Sequence, residues 1–317
     1  MIGSYIEKGR QQLAERGIQA VRGAETGTVV RRNREYLDSI EIEMRVLDSP
    51  EACDTACEFL GKRFATPVMA AALSGLNNIR PKGMAVLARG VADAEACMWA
   101  GIGQEQELRD VIAAGAPTVK IIKPYRDNDL IFQKLRQAED AGCFAVGMDI
   151  DFFFGGQVGD ELVKPSLFSP KSSAQMRKFI EATRLPFILK GVLSERDAEK
   201  ALELGAAAIV VSHHSGSVMD YAVPPLRILP KLASLVQKRV PILVDGGMTH
   251  GSDVFKALAL GADGVLVGRA LLAGLELDGA EGVTKVIGGI TEELRRIMCL
   301  TGARSLREID ASVLWLP

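Results

Sequence analysis

The sequence predicts an α/β fold in which parallel strands alternate with helices along a chain of 317 residues. Three observations predict it. Short apolar, β-rich runs recur along the chain. They are continuous rather than alternating, as in strands of a parallel sheet buried on both faces. Each is followed by an amphipathic helical pattern with readable ends.

In order, the candidate strands are TPVMAAAL (66–73), ACMWAG (96–101), TVKII (118–122), FAVGMDI (144–150), PFILKG (186–191), AAIVVS (207–212), VPILVDG (240–246) and GVLVG (264–268). Ser194 opens SERDAEKALELG as a capping box with Asp197, and Gly205 closes it. SDVFKALALG ends the same way at Gly261. Eight strands, each followed by a helix, make a closed (β/α)8 TIM barrel rather than an open sheet. There is no Pro-, Gly- or Ser-rich linker, no low-complexity tract and no marked charge break. Residues 1–317 therefore read as a single domain. Residues 66–317 form the barrel, and 1–65 an N-terminal helical extension that caps the barrel bottom or packs beside it.

The composition is 48% hydrophobic and 25% charged, which leaves ample material for a large core. A net charge of −2 gives no global basic field, so nucleic acid is not an expected partner. MIGSYIEKGRQQLAERG has no basic segment followed by an apolar stretch, and reads as no signal peptide. No apolar run approaches the roughly 18–20 residues that span a bilayer, so membrane insertion is not expected. Five cysteines, at 53, 57, 97, 143 and 299, are odd in number and scattered. That pattern suits a reducing cytoplasm without a disulfide framework. Cys53 and Cys57 have no second Cys or His pair nearby, so no metal site is expected.

In such a barrel the chemistry sits at the C-terminal ends of the strands. The three histidines, His213, His214 and His250, all fall just past strands six and seven. A lone histidine is more often a satisfied surface or core residue, but three on one rim point to function. In LVDGGMTHGSDVFKALALGADGVLVGRALL, Gly246 and Gly247 let the backbone approach a ligand after strand seven. Gly268 and Arg269 follow strand eight, where backbone N–H groups and a cation can hold a phosphate. Asp245 is placed to bind a sugar-like hydroxyl. The plainer reading is that these glycines only make tight turns. Lys190 ends strand five in ILKG, where a buried lysine needs an anionic partner.

These residues carry a resemblance. VDGG, GSDVFKALALGA, VLVGR, LKGV and VVSHH preceding an Asp are similar to the FMN-dependent α-hydroxy acid dehydrogenases and oxidases. The likeness runs from GAETGTVVRRNREYLDSIEIEMRVL onward and is strongest from Leu185 to Leu306. It implies FMN as cofactor, a small-molecule substrate and a homotetramer. It implies that His214 is the base that takes a proton from substrate, and that Asp151 in MDID is its carboxylate partner. Lys190 matches the lysine at the flavin pyrimidine edge. Asp245, Gly247, Gly268 and Arg269 match ribityl and phosphate contacts, with Gly246 and Ser212 as further cofactor candidates, and Ala71, Ala72 and Leu73 stand where the family has a Pro-Thr-Ala that lines the flavin.

The other departures concern the substrate. The family pattern SNHGGRQLD reads SHHSGSVMD here, so Ser217 stands where an arginine grips the substrate carboxylate. FFFGGQVGDELV, after strand four, contains no second arginine. The strand-three tyrosine is Lys123 in KIIKPY. Lys123 is a replacement anion holder or simply a solvated strand-end lysine. His213 and His250 are further donors, and Ser217 completes the substrate candidates. Trp99 packs beside the flavin or in the core. The function expected is oxidation of a 2-hydroxy acid or related hydroxylated substrate, with a modified substrate site. A flavin-dependent isomerase, a flavin-binding protein without hydroxy acid activity and a flavin-free phosphate-sugar enzyme stay open as alternatives.

Overall fold

Continuous apolar runs have no polar face to turn to water, and here they close on one another. A computed structural model describes residues 2–18, 23–158 and 161–317, so Gly159 and Asp160 of the FFFGGQVGDELV loop lie outside the described residues. The barrel strands are β1 (Val68–Ala70), β2 (Met98–Ala100), β3 (Thr118–Ile122), β4 (Ala145–Asp149), β5 (Phe187–Val192), β6 (Ala208–Val211), β7 (Ile242–Val244) and β8 (Gly264–Val267). They form one sheet of eight, paired in chain order, with β8 beside β1. The ring closes between β1 and β2. The Ala70 N–H donates to the Cys97 carbonyl at 2.9 Å, and the Gly101 N–H to the Leu73 carbonyl at 2.8 Å.

A helix follows each strand: α1 (Gly83–Asp93), α2 (Glu105–Ala113), α3 (Asn128–Ala141), α4 (Ser173–Glu181), α5 (Glu195–Glu203), α6 (Pro225–Val236), α7 (Gly251–Ala259) and α8 (Arg269–Leu300). The Ser194 side chain accepts from the Asp197 N–H at the start of α5, as the sequence predicts. α8 breaks at Asp278 and Gly279, where the backbone leaves helical angles.

Side chains alternate along each strand, so every second residue faces the barrel axis. Met69, Trp99, Val119, Ile188, Val210 and Leu266 belong to one buried cluster inside the barrel. The next inward positions toward the C-terminal ends are Lys123, Asp149, Lys190, Ser212, Asp245 and Gly268. The same periodicity that fills the barrel with apolar side chains thus delivers the polar groups to its mouth.

Residues before the barrel do two jobs. A hairpin of Cys57–Phe59 and Lys62–Phe64, not a helix, closes the bottom. Leu60 and Gly61 both have positive φ, 49° and 76°, the turn that matches strand twist in a two-residue hairpin. It places Phe59 and Phe64 in the interior cluster. Phe59 stacks on Trp99 with ring centroids 6.1 Å apart, so Trp99 is a core residue at the barrel bottom rather than a flavin neighbour.

The two helices sit elsewhere. Ile2–Glu15 packs along α8 and Thr28–Ser39 beside α6. The second reaches the mouth: Asn33 Nδ2 donates to the Gly246 carbonyl at 2.8 Å. Asp220, past β6, anchors it by accepting from the N–H of Thr26 at 3.1 Å and of Val29 at 2.7 Å.

Candidate active site

Three acids and two lysines meet at the mouth. Asp149 Oδ2 lies 2.8 Å from Lys123 Nζ, and Asp149 Oδ1 lies 2.9 Å from Lys190 Nζ. Lys190 Nζ is also 3.6 Å from Asp245 Oδ2. Burial alone would push the Asp149 carboxyl up, but Lys123, Lys190 and His214 outweigh it and hold it well below the usual carboxylate range. Burial likewise opposes charge on Lys190, yet Asp149, Asp245 and Asp151 raise it above the usual lysine range. Lys123 goes the other way: burial lowers it despite Asp149, and Lys190 adds to the lowering.

His214 stands at the edge of this network. Its Nδ1 is 3.1 and 3.2 Å from the two oxygens of Asp151, and 3.8 Å from Asp149 Oδ1. Carboxylate oxygens accept, so this geometry suits the tautomer in which Nδ1 donates to Asp151. Nε2 is then the acceptor, and Lys123 Nζ lies 3.3 Å from it. Phe152 holds both groups: Lys123 Nζ sits 3.6 Å over its ring, and the His214 ring is 4.8 Å away. The loop beneath is tight. His214 and Ser215 have φ of 53° and 55°, a region that side chains other than glycine seldom occupy. The His214 N–H donates to Ser212 Oγ at 3.0 Å, and Ser217 Oγ donates to the His214 carbonyl at 2.7 Å.

A cavity of about 610 Å³ opens beside His214. Ala71, Ala72, Lys190, Ser217, Asp245, Gly246, Gly247, Gly268 and Arg269 line it, joined by Arg10, Asn33 and Arg34 from the N-terminal helices. Residues 10–171 and 157–316 match the FMN-dependent dehydrogenase family model. The chain belongs to this family. It is 30% identical to a peroxisomal (S)-2-hydroxyacid oxidase of Arabidopsis thaliana, across 90% of this chain and 88% of that one. It is 30% identical to an L-lactate oxidase of Lactobacillus jensenii, across 90% and 78%. The crystal structure of mandelate oxidase with 3,3-difluoro-2-hydroxy-3-phenylpropionic acid matches with a TM-score of 0.91 at 29% identity, covering 99% of this chain and 98% of that one.

The cavity fits the FMN that defines the family. Asp245 Oδ1 is buried without a hydrogen-bond partner among the described residues, and a ribityl hydroxyl would satisfy it. Burial lowers Arg269, and Arg10 lowers it further against Asp245, so this guanidinium calls for an anion. Gly268 sits on the cavity wall next to Ala71 and Leu73. The member of an FMN-dependent family, this protein is an FMN-dependent oxidoreductase.

The other sequence candidates separate. Ser212 lies under His214 through the hydrogen bond above. His213 is buried behind Gly246, where a Cβ would be 3.3 Å from its Cε1; both ring nitrogens lack a partner among the described residues. It is not among the residues that line the cavity. His250 bonds the Thr249 hydroxyl at 2.9 Å, and its Nε2 faces Gly3 of the first helix, away from His214. Lys123 is neither solvated nor free, because Asp149 already holds it. Asp149 and Phe152 are functional neighbours that the sequence reading missed. For Asp149 the spacing of MDID was the signal, since residues two apart in extended chain share a face. Asp149, Asp151 and His214 offer ligand atoms within 4.8 Å of one another. Both Asp149 oxygens already accept ammonium groups, which makes the cluster an ion-pair network and a poor cation cage.

Proposed function

We propose that this protein oxidises a 2-hydroxy acid or a related hydroxylated substrate, with His214 as the base. The observation that carries the reading is the His214–Asp151 pair at the edge of the cavity, with Nε2 on the far side of the ring in contact with Lys123 Nζ. When bound, FMN supplies the two-electron acceptor. His214 Nε2 takes the substrate proton in place of its contact with Lys123. Asp151 orients the ring and stabilises the imidazolium that forms, with Asp149 behind it. Lys190 keeps a fixed positive charge in the mouth, suited to negative charge that develops on reduction. Asp245, Gly246, Gly247, Gly268 and Arg269 hold the polyol phosphate, while Ala71 and Ala72 form an apolar wall.

Lys123 and Ser217 are the substrate contacts of this proposal. Lys123 acts as a point charge shared with Asp149, a weaker anchor for a carboxylate than a guanidinium fork. The names of the relatives, which speak of 2-hydroxyacid, lactate and mandelate, support the substrate class.

The reading extends to a cytoplasmic homotetramer. Five free cysteines suit a reducing compartment, though the Arabidopsis relative is named as peroxisomal. Among the described residues no helix is long and apolar enough to cross a membrane. Light scattering should give four times the 34.1 kDa chain mass. The decisive experiment is an anaerobic cuvette of yellow protein treated with a panel of 2-hydroxy acids. Bleaching of the flavin band by one of them supports the proposal. A band that no hydroxylated substrate bleaches would remove oxidation from it.

A further inference from the structure

The first helix, Ile2–Glu15, carries a cation to the cofactor cavity. Gly9 lets the helix lie against α8 so closely that a Cβ there would run into the Ala273 carbonyl. Ala273 is one turn beyond Arg269, the cation at the start of α8. The next residue of the first helix, Arg10, lines the same cavity as Arg269. Two guanidiniums that share a cavity repel unless an anion lies between them. Among the described residues, Arg10 has one carboxylate neighbour, Glu7 at 3.6 Å, which lines the same cavity but whose side chain is 73% exposed. Such a solvated pair leaves a guanidinium free to turn to a better partner. Arg269 has no carboxylate within ion-pair distance among the described residues. We propose that Arg10 is a phosphate ligand for FMN, closing with Arg269 on the phosphate and so making the N-terminal helix part of the cofactor site.

The proposal rests on FMN as the ligand of this cavity, so its test separates the two. Full-length wild type, Arg10→Ala and Arg10→Lys are freed of flavin, then titrated with FMN and with riboflavin while flavin fluorescence is followed. Riboflavin has the ring and ribityl chain but no phosphate. Loss of one charge-assisted contact should raise the FMN Kd of Arg10→Ala by about 10- to 100-fold. Arg10→Lys should fall between it and wild type, because an ammonium keeps the charge but not the fork. The riboflavin Kd should be the same in all three proteins. Arg10 is half-exposed, so the melting temperatures of the flavin-free proteins should agree. An FMN Kd unchanged in Arg10→Ala would overturn the proposal and leave the cofactor reading intact. Equal weakening of FMN and riboflavin would also overturn it, since the residue would then shape the cavity rather than bind phosphate. Wild type that takes up neither flavin would overturn both.

Discussion

At the scale of single residues, the mouth divides into groups that act and groups that hold them. His214 acts. His214→Ala should keep FMN bound but slow flavin reduction by substrate by about 10²- to 10⁴-fold, the usual worth of a positioned base. Stopped-flow reduction of the yellow variant measures this, and reduction at the wild-type rate would remove His214 from the mechanism. Asp149 holds. Its side chain is 3% exposed and partners two lysines, so Asp149→Asn leaves two buried ammonium groups without their shared carboxylate. The expected loss is about 3–5 kcal/mol of stability, read as a lowered denaturation midpoint. His213 adds a pH dependence. Burial lowers its pKa below the ordinary 6.5, so as the pH falls the unfolded chain takes up a proton before the folded one does. Its contribution to stability is full above that value and is lost as the pH drops through the folded-state pKa, by at most about 1.4 kcal/mol per pH unit. His213→Asn should flatten the fall in melting temperature below pH 6.5; parallel curves for variant and wild type would show that burial does not hold the ring neutral.

At the scale of elements, legibility followed locality. The eight strands and the α5 start were readable because periodicity and caps are written in consecutive residues. The bottom hairpin was not read: CEFLGKRF is short, and only packing against Trp99 and Phe144 gives its aromatic residues a reason to turn inward. The sequence named His214 and Asp151 through a motif. It could not place Arg10 beside Arg269, because that neighbourhood comes from two helices meeting, not from spacing. The break in α8 is another such feature. The chain folds back at Asp278–Gly279 so that Gly274 and Gly282 touch, and a Cβ on Gly282 would run into the Gly274 carbonyl. The same Cβ would lie 2.9 Å from the Tyr5 hydroxyl, which itself donates to Asp278 at 2.5 Å. Gly282→Ala should therefore destabilise by about 1–3 kcal/mol, the range for overpacking a close contact. It should also loosen the first helix, seen as faster hydrogen exchange in Ile2–Glu15. Unchanged exchange and stability would mean that the corner can spread without cost.

At the scale of the whole molecule, the two ends of the barrel should be separable. Stability of the interior depends on the bottom, where Phe59 is 2% exposed and fills the axis beneath Trp99. Chemistry depends on the top, where the same strands end in Lys123, Asp149, Lys190 and Asp245. The strands between are hydrogen-bonded to neighbours on both sides around the ring, so a cavity made at the bottom has little means of moving groups held by ion pairs and hydrogen bonds at the mouth. Phe59→Ala should cost about 3–5 kcal/mol of stability, as large-to-small core changes do. The reduction rate at a temperature where the variant is fully folded should stay that of wild type. His214→Ala should show the reverse, with stability near wild type and reduction lost. If Phe59→Ala also slowed reduction in the folded protein, strain would be passing along the barrel axis, and the mouth would owe its geometry to the packed layers beneath it as well as to its own network of charges.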